Sequence, residues 1–169
     1  MLCYSWLNFI LSEECIISLR TIGVNRVKLQ IGKGIFNSDV RNRVFNGVVA
    51  DEGSGVSYDL PVEYYRYKPS IREDIENSLV VVGHCGAGTC LEVLRLGKPF
   101  IAVINDTLMN NHQEELALAL SEGLHLLHCT PSSLSSTLQN PGLFTLIPFE
   151  PPSQKRVAAL IDQRMAVSR

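Results

Sequence analysis

The stretch that decides the fold is Val80–Glu92, VVVGHCGAGTCLE. With Leu79 in front, its valines make an apolar β-forming run, which predicts a central buried strand at Leu79–Val82. Gly83–Gly88 then turns, and Thr89–Leu96 carries a helical pattern stopped by Gly97-Lys98-Pro99. A strand that feeds a glycine turn opening straight into a helix lets the main chain approach a ligand closely. The first N–H groups of the helix point into that gap, at the positive end of its dipole. Such a terminus suits a phosphate, and Thr89 can add a hydroxyl donor. Glu92 lies one turn beyond Thr89 on the same side, where a carboxylate can accept from two ribose hydroxyls. The same turn also serves helix–strand packing alone, and the residues leave both readings open. It is neither a Walker loop nor a G-x-G-x-x-G turn.

Outward from this segment, β-rich runs alternate with helical patterns, which predicts an α/β fold of Rossmann-like type: a parallel sheet with helices on both faces. Trp6–Leu11 reads as a first strand, Glu13–Ile22 as a helix stopped by Gly23, and Val24–Ile31 as an alternating strand. Ile35–Asp59 is rich in Gly, Asn and Asp and reads as a surface loop, with a short hairpin at Val44–Ala50 turning on Asn46-Gly47. Val62–Tyr67 is a strand, followed by a helix with Ser70 and Glu73 as capping box. Phe100–Ile104 is a buried strand, Asn110 caps a helix through Ser121, and Leu124–Leu127 is a strand. Thr130 and Pro131 start a helix to Leu138. Ser153–Met165 is a last helix, with Val157, Leu160, Ile161 and Met165 on one face. No linker divides residues 1–169, which read as one domain.

Other segments carry weaker signals. Asn110–Ala117, NNHQEELA, opens a helix at the same sheet edge as the glycine turn. Asn111, His112 and Gln113 there can bond sugar hydroxyls, or Asn110 and Gln113 can simply cap. Gly32, in Gln30–Gly34, gives another close approach after a strand, with Lys33 either meeting a phosphate or solvated. His125 and His128 read as packing residues, and of Tyr65 and Tyr67, which share a face, one either flanks a base or packs in the core. His84, Cys85 and Cys90 match no common zinc spacing and lack a fourth ligand.

Composition narrows the function classes. The 169 residues are 46% hydrophobic and 19% charged, which excludes a disordered chain. A net charge of −2 is not built for gripping nucleic acid, and no apolar run is long enough to span a bilayer. Five cysteines at irregular spacing read as reduced thiols in a cytosolic setting rather than a disulfide framework.

From Gly23 to Ile161 the chain resembles the donor-binding half of GT-B glycosyltransferases of the family 28 C-terminal domain type. Within that group it is similar to the catalytic subunits of the UDP-N-acetylglucosamine transferase that extends dolichol-linked oligosaccharide. The resemblance rests on QIGKG at Gln30–Gly34, YRYKPSIREDI at Tyr65–Ile75, GHCGAGTCLE at Gly83–Glu92, GKP at Gly97–Pro99 and VINDTLMNNHQEELA at Val103–Ala117. It implies a half-enzyme that binds UDP-N-acetylglucosamine and docks on a membrane-anchored subunit carrying the acceptor. The pair would add the second N-acetylglucosamine to N-acetylglucosaminyl-diphosphodolichol, with inversion, at the cytosolic face of the endoplasmic reticulum. It implies that Gly86, Ala87, Gly88 and Thr89 hold the diphosphate without a metal or other cofactor, and that Glu92 holds the ribose. Gly32 and Asn111, His112 and Gln113 would belong to the donor site, the last three facing the sugar. His84 would act near the leaving phosphate, no residue is marked as general base, and residues 153–169 would dock the partner. Members of that group open with a strand and a glycine-threonine turn of the type VTVGTT. Met1–Arg20 contains nothing like it, so a variant that binds the partner without transferring sugar is the alternative expectation.

Overall fold

Phe100–Val103 is buried at every position, which is possible for a strand only when both faces of its sheet are covered. Ile101 and Val103 enter one hydrophobic cluster, while Phe100, Ala102 and the following Ile104 enter another. The computed structural model describes residues 5–47, 50–104 and 111–150, with side chains from Leu7 onward and without those of Asn111 and His112.

In chain order the elements are helices α1 (Ser5–Ile10) and α2 (Glu13–Thr21), strand β1 (Val27–Gln30), helix α3 (Ser38–Phe45), and strands β2 (Glu52–Ser57) and β3 (Leu60–Tyr65). Helix α4 (Arg72–Glu76), β4 (Val81–Gly83), α5 (Ala87–Arg95), β5 (Phe100–Val103), α6 (Asn111–Glu122), β6 (Leu127–Cys129) and α7 (Leu134–Leu138) follow. The strands form two three-stranded sheets, ordered β1-β3-β2 and β4-β5-β6. The second is wholly parallel; in the first β1 runs parallel to β3, and β2 pairs with β3 as an antiparallel hairpin. The α/β class expected from the sequence holds, with its strands divided between two sheets. One cluster joins residues of α1, α2, α3 and α7 to both sheets; the other lies under α4, α5 and α6 against the opposite face of β5.

Local chemistry explains most boundaries. Ser12 accepts from the Cys15 N–H at the start of α2, and Gly23 ends it at φ +94°, a conformation that favours glycine. Several sequence expectations give way. Trp6–Leu11 is not a strand: α1 occupies it, turning Leu7 and Ile10 into the core with Leu11 beside them. Ile35–Asp59 is not a surface loop. Asn37 caps α3 by accepting from the Val40 N–H at 2.8 Å, and Asn46 ends that helix in the left-handed conformation, so Asn46-Gly47 stops a helix rather than turning a hairpin. The hairpin turns at Tyr58 and Asp59, both at positive φ. Arg43 braces it, with its guanidinium 4.5 Å over the Tyr58 ring and donating to Ser57 Oγ and the Leu11 carbonyl, both at 2.9 Å.

Further corrections are smaller. Ser70 and Glu73 form no capping box, since α4 begins one residue later and Ser70 Oγ accepts from the Arg72 N–H. Leu79–Val82 is not a central strand: β4 lies at an edge of its sheet, half-buried, and Leu79 is exposed. Leu124 sits in a turn at φ 56°, so β6 starts at Leu127. A short 3-10 turn at Pro131–Ser133 precedes α7, with the Thr130 N–H donating to Ser133 Oγ. The expected Asn110 cap and the Ser153–Met165 helix lie outside the described residues.

Two contacts hold α3 and α4 on the first sheet. A Cβ on Gly55 would stand 1.9 Å from the Val44 carbonyl oxygen, and one on Gly53 would stand 2.7 Å from the Tyr64 ring. Gly55 therefore lets α3 lie directly on the strand, and Gly53 makes room for Tyr64; the Phe36, Phe45 and Tyr64 rings pack there with centroids 4.7–5.3 Å apart. On the opposite face, Asp74 of α4 accepts from Lys28 (3.0 Å), Lys68 (2.8 Å) and the Tyr65 hydroxyl (2.8 Å). Partial burial raises the Asp74 carboxyl, but hydrogen bonds from Lys68, Tyr65 and Lys28 outweigh it and bring it down to about 2.

Gly55→Ala should destabilise the fold by about 1–3 kcal/mol through overpacking, read as a lower denaturation midpoint. Asp74 binds its proton more weakly in the folded chain than in the unfolded one. Its stabilisation is therefore complete above pH ~4 and lost as pH falls toward about 2. Asp74→Asn should cost about 1–3 kcal/mol at neutral pH and flatten the acid limb of the stability curve; an unchanged limb would remove Asp74 from that role.

Candidate functional site

The glycine turn leaves the C-terminal end of β4 and becomes α5 at Ala87, with Gly86 as N-cap in an extended conformation. Gly86 has no side chain with which to cap. The first intrahelical bond runs from Cys90 N to Gly86 O at 2.9 Å, so the N–H groups of Ala87, Gly88 and Thr89 precede the helical ladder and face outward. These three residues are exposed and Gly86 is half-exposed.

The fold itself does not demand these glycines. Gly86 has φ −67°, and neither it nor Gly88 carries a positive φ. A Cβ built on either meets no described residue within 4 Å. Packing against the strand, the alternative raised by the sequence, is therefore not what requires glycine here, whereas it does require Gly55. What glycine gives at 86 and 88 is open space beside uncapped N–H groups, the geometry of an anion site.

Glu92 lies one turn along α5, half-buried, and no described residue forms an ion pair or hydrogen bond with its carboxylate. A half-desolvated carboxylate beside a row of N–H groups can accept from paired hydroxyls. His84 is half-buried at the start of the turn, with Nδ1 3.4 Å from the Val103 carbonyl oxygen at the end of β5. A carbonyl only accepts, so Nδ1 carries the proton in the neutral ring and Nε2 is the acceptor nitrogen. Burial lowers the His84 pKa against the opposing pull of the Val103 carbonyl, which keeps the ring neutral at pH 7.

The other expected residues separate into two groups. Gln113 stands half-buried in the first turn of α6 beside Asn111 and His112, whose side chains lie outside the described residues. Gly32 belongs to the first sheet. It turns the chain after β1 at φ 54°, its N–H donates to the Arg66 carbonyl, and its own carbonyl accepts from Arg66 Nη1 at 2.9 Å. Arg66 also reaches the Gly34 carbonyl and Asp51, clamping the turn; no local pattern singles it out, because its partners lie 15 to 34 residues away. Lys33 is exposed, Tyr65 is buried on Asp74, and Tyr67 is exposed. His125 packs edge-on against Phe149, and His128 bonds Ser121 Oγ at 2.8 Å. Among the described residues no three His, Cys, Asp or Glu side chains are grouped to hold a metal ion.

Residues 7–164 match the glycosyltransferase family 28 C-terminal domain. The chain belongs to that family. Among curated relatives, it is 42% identical over 130 residues to the human protein named UDP-N-acetylglucosamine transferase subunit ALG13, covering 73% of this chain and 10% of the relative. The protein of the same name from Yarrowia lipolytica is 30% identical over 124 residues, covering 72% of this chain and 56% of the relative. The chain thus spans about a tenth of the human relative and about half of the yeast one. An NMR solution structure of ALG13 superposes with a TM-score of 0.66 at 24% identity, covering 92% of this chain and 87% of that one. At that identity the likeness establishes a shared fold.

Gly88→Ala should leave the thermal midpoint unchanged or raise stability by about 0.5 kcal/mol, since alanine is the better helix former and the added methyl meets no described neighbour. A marked drop would return this glycine to a packing role.

Proposed function

We propose that the chain is the UDP-N-acetylglucosamine-binding, catalytic subunit of a two-subunit inverting transferase. It would add the second N-acetylglucosamine to dolichol-diphosphate-N-acetylglucosamine with a membrane-anchored, acceptor-binding partner at the cytosolic face of the endoplasmic reticulum. The observation that carries the reading is the glycine turn, where two glycines that the fold does not need border three uncapped N–H groups at a strand's carboxyl end. The names of the relatives and the motif resemblance supply the donor and the partner.

In this mechanism the Ala87, Gly88 and Thr89 N–H groups cradle the diphosphate, with the Thr89 hydroxyl as a further donor. Glu92 takes the ribose hydroxyls, and Asn111, His112 and Gln113 face the sugar. As the anomeric carbon is attacked, UDP leaves with growing negative charge, and preoriented N–H groups at the positive end of α5 stabilise that charge without a metal. His84, neutral with Nε2 as acceptor, is suited to take a proton from the attacking hydroxyl rather than to neutralise phosphate as a cation. A second reading is favoured by Trp6–Leu11, where the strand expected from the sequence gives way to α1. In it the chain docks on the partner without transferring sugar.

A transfer assay on the chain co-produced with its membrane partner separates the two. The catalytic reading expects turnover with UDP-N-acetylglucosamine that persists in excess chelator and is absent from either subunit alone; the docking reading expects none. Gly88→Ala should weaken UDP binding at least tenfold, about 1.4 kcal/mol, and unchanged affinity would displace the diphosphate from this turn. His84→Gln should lower kcat on the order of 10²-fold with little change in donor KM, and kcat of the parent should fall on acidification, at a pH lower than an exposed imidazole would set, as the ring charges.

A further inference from the structure

The glycine turn is bracketed by two thiols that the transfer chemistry does not use. Cys85 precedes it and Cys90 sits in the first turn of α5, with Sγ atoms 3.4 Å apart. Both side chains are fully buried. The backbone between them is Gly86, Ala87, Gly88 and Thr89, the four residues assigned to the diphosphate.

We propose that Cys85 and Cys90 form a redox modification site, in which a peroxide links them by a disulfide across the glycine turn and weakens nucleotide binding. The existence of the bond stands on the sulfur geometry alone; its effect on nucleotide rests on the proposed donor site. The Cys85 thiol donates to the Cys90 sulfur; once Cys85 ionises, the Cys90 thiol donates back, which favours the Cys85 thiolate against the cost of burial and holds the Cys90 proton in place. Cys85 is therefore the attacking sulfur. The two other described thiols differ: burial raises Cys15, and it pushes Cys129 up to about 11 despite a hydrogen bond to Thr137.

The chemistry balances with hydrogen peroxide as oxidant. The Cys85 thiolate attacks one peroxide oxygen, an S–O bond forms as the O–O bond breaks, and the departing hydroxide takes a proton to become water. The Cys90 sulfur, giving up its proton, then attacks the Cys85 sulfur. The S–S bond forms, the S–O bond breaks, and a second water leaves. Two thiols are oxidised and one peroxide is reduced to two waters; a dithiol reverses the reaction. Closing the sulfurs from 3.4 Å to about 2.05 Å draws Cys85 toward the helix and re-aims the N–H groups between them.

The test is peptide mapping of the full chain after hydrogen peroxide, then UDP binding by the oxidised, reduced and re-reduced protein. Trypsin leaves both cysteines in one peptide, Glu73–Arg95, so the bond appears as a peptide two hydrogens lighter that dithiothreitol restores. Cys90→Ala should abolish that species and leave oxygen added at Cys85. UDP affinity should fall at least fivefold on oxidation and recover on reduction. Exhaustive oxidation without the lighter peptide, or a bond joining Cys15 to Cys129 instead, overturns the site. A formed bond with unchanged UDP affinity overturns the coupling. If the reduced chain binds no UDP while the bond forms, the thiol site stands and the donor-site assignment falls.

Discussion

The fold depends on the two-sided burial of β5. Its residues alternate between two hydrophobic clusters, and those clusters carry helices from both ends of the chain. Burying Phe100, Ile101 and Val103 contributes about 1.5–3 kcal/mol each, and it fixes β4 and β6 as parallel neighbours on either side. The carboxyl end of β4 is thereby held against that of β5, where His84 meets the Val103 carbonyl and the glycine turn begins. The site is precise because the strand beneath it cannot shift without opening both cores at once.

Glycine serves two unrelated purposes in this chain. At Gly55 it removes a side chain so that α3 can lie on the strand, and the clash an added Cβ would meet is with the Val44 backbone. In the turn before α5 it leaves open space that no described residue fills, which the proposed diphosphate would occupy. The sequence shows the same residue type in both places. Only the space around each separates a packing glycine from one that clears an approach.

How much was legible follows from which signals are local. β5 and α2 were legible because an apolar run, a cap and a stop each act within a few residues. The glycine turn was legible for the same reason, since strand, turn and helix N-terminus are contiguous. Trp6–Leu11 misled because Trp, Phe and Ile favour strands in isolation, whereas burial of Leu7 and Ile10 in the shared core decides for a helix. Asn46-Gly47 misled because a left-handed Asn ends a helix as readily as it turns a hairpin. The glycines of β2 masked a strand, because the reasons for glycine lie elsewhere, on α3 for Gly55 and on the Tyr64 ring of β3 for Gly53. Arg66 on the Gly32 turn and the Cys85–Cys90 contact are tertiary facts, set by how the turns close.

The contrast between Gly55 and Gly88 has a consequence inside a cell. Damage at the packing glycine yields a chain that opens more often and is cleared by proteolysis, so activity and abundance decline together. On the proposed diphosphate site, damage at Gly88 would leave an intact, long-lived polypeptide that has lost only its grip on ligand. Such a molecule escapes quality control and persists at full dosage, occupying the place of a working copy.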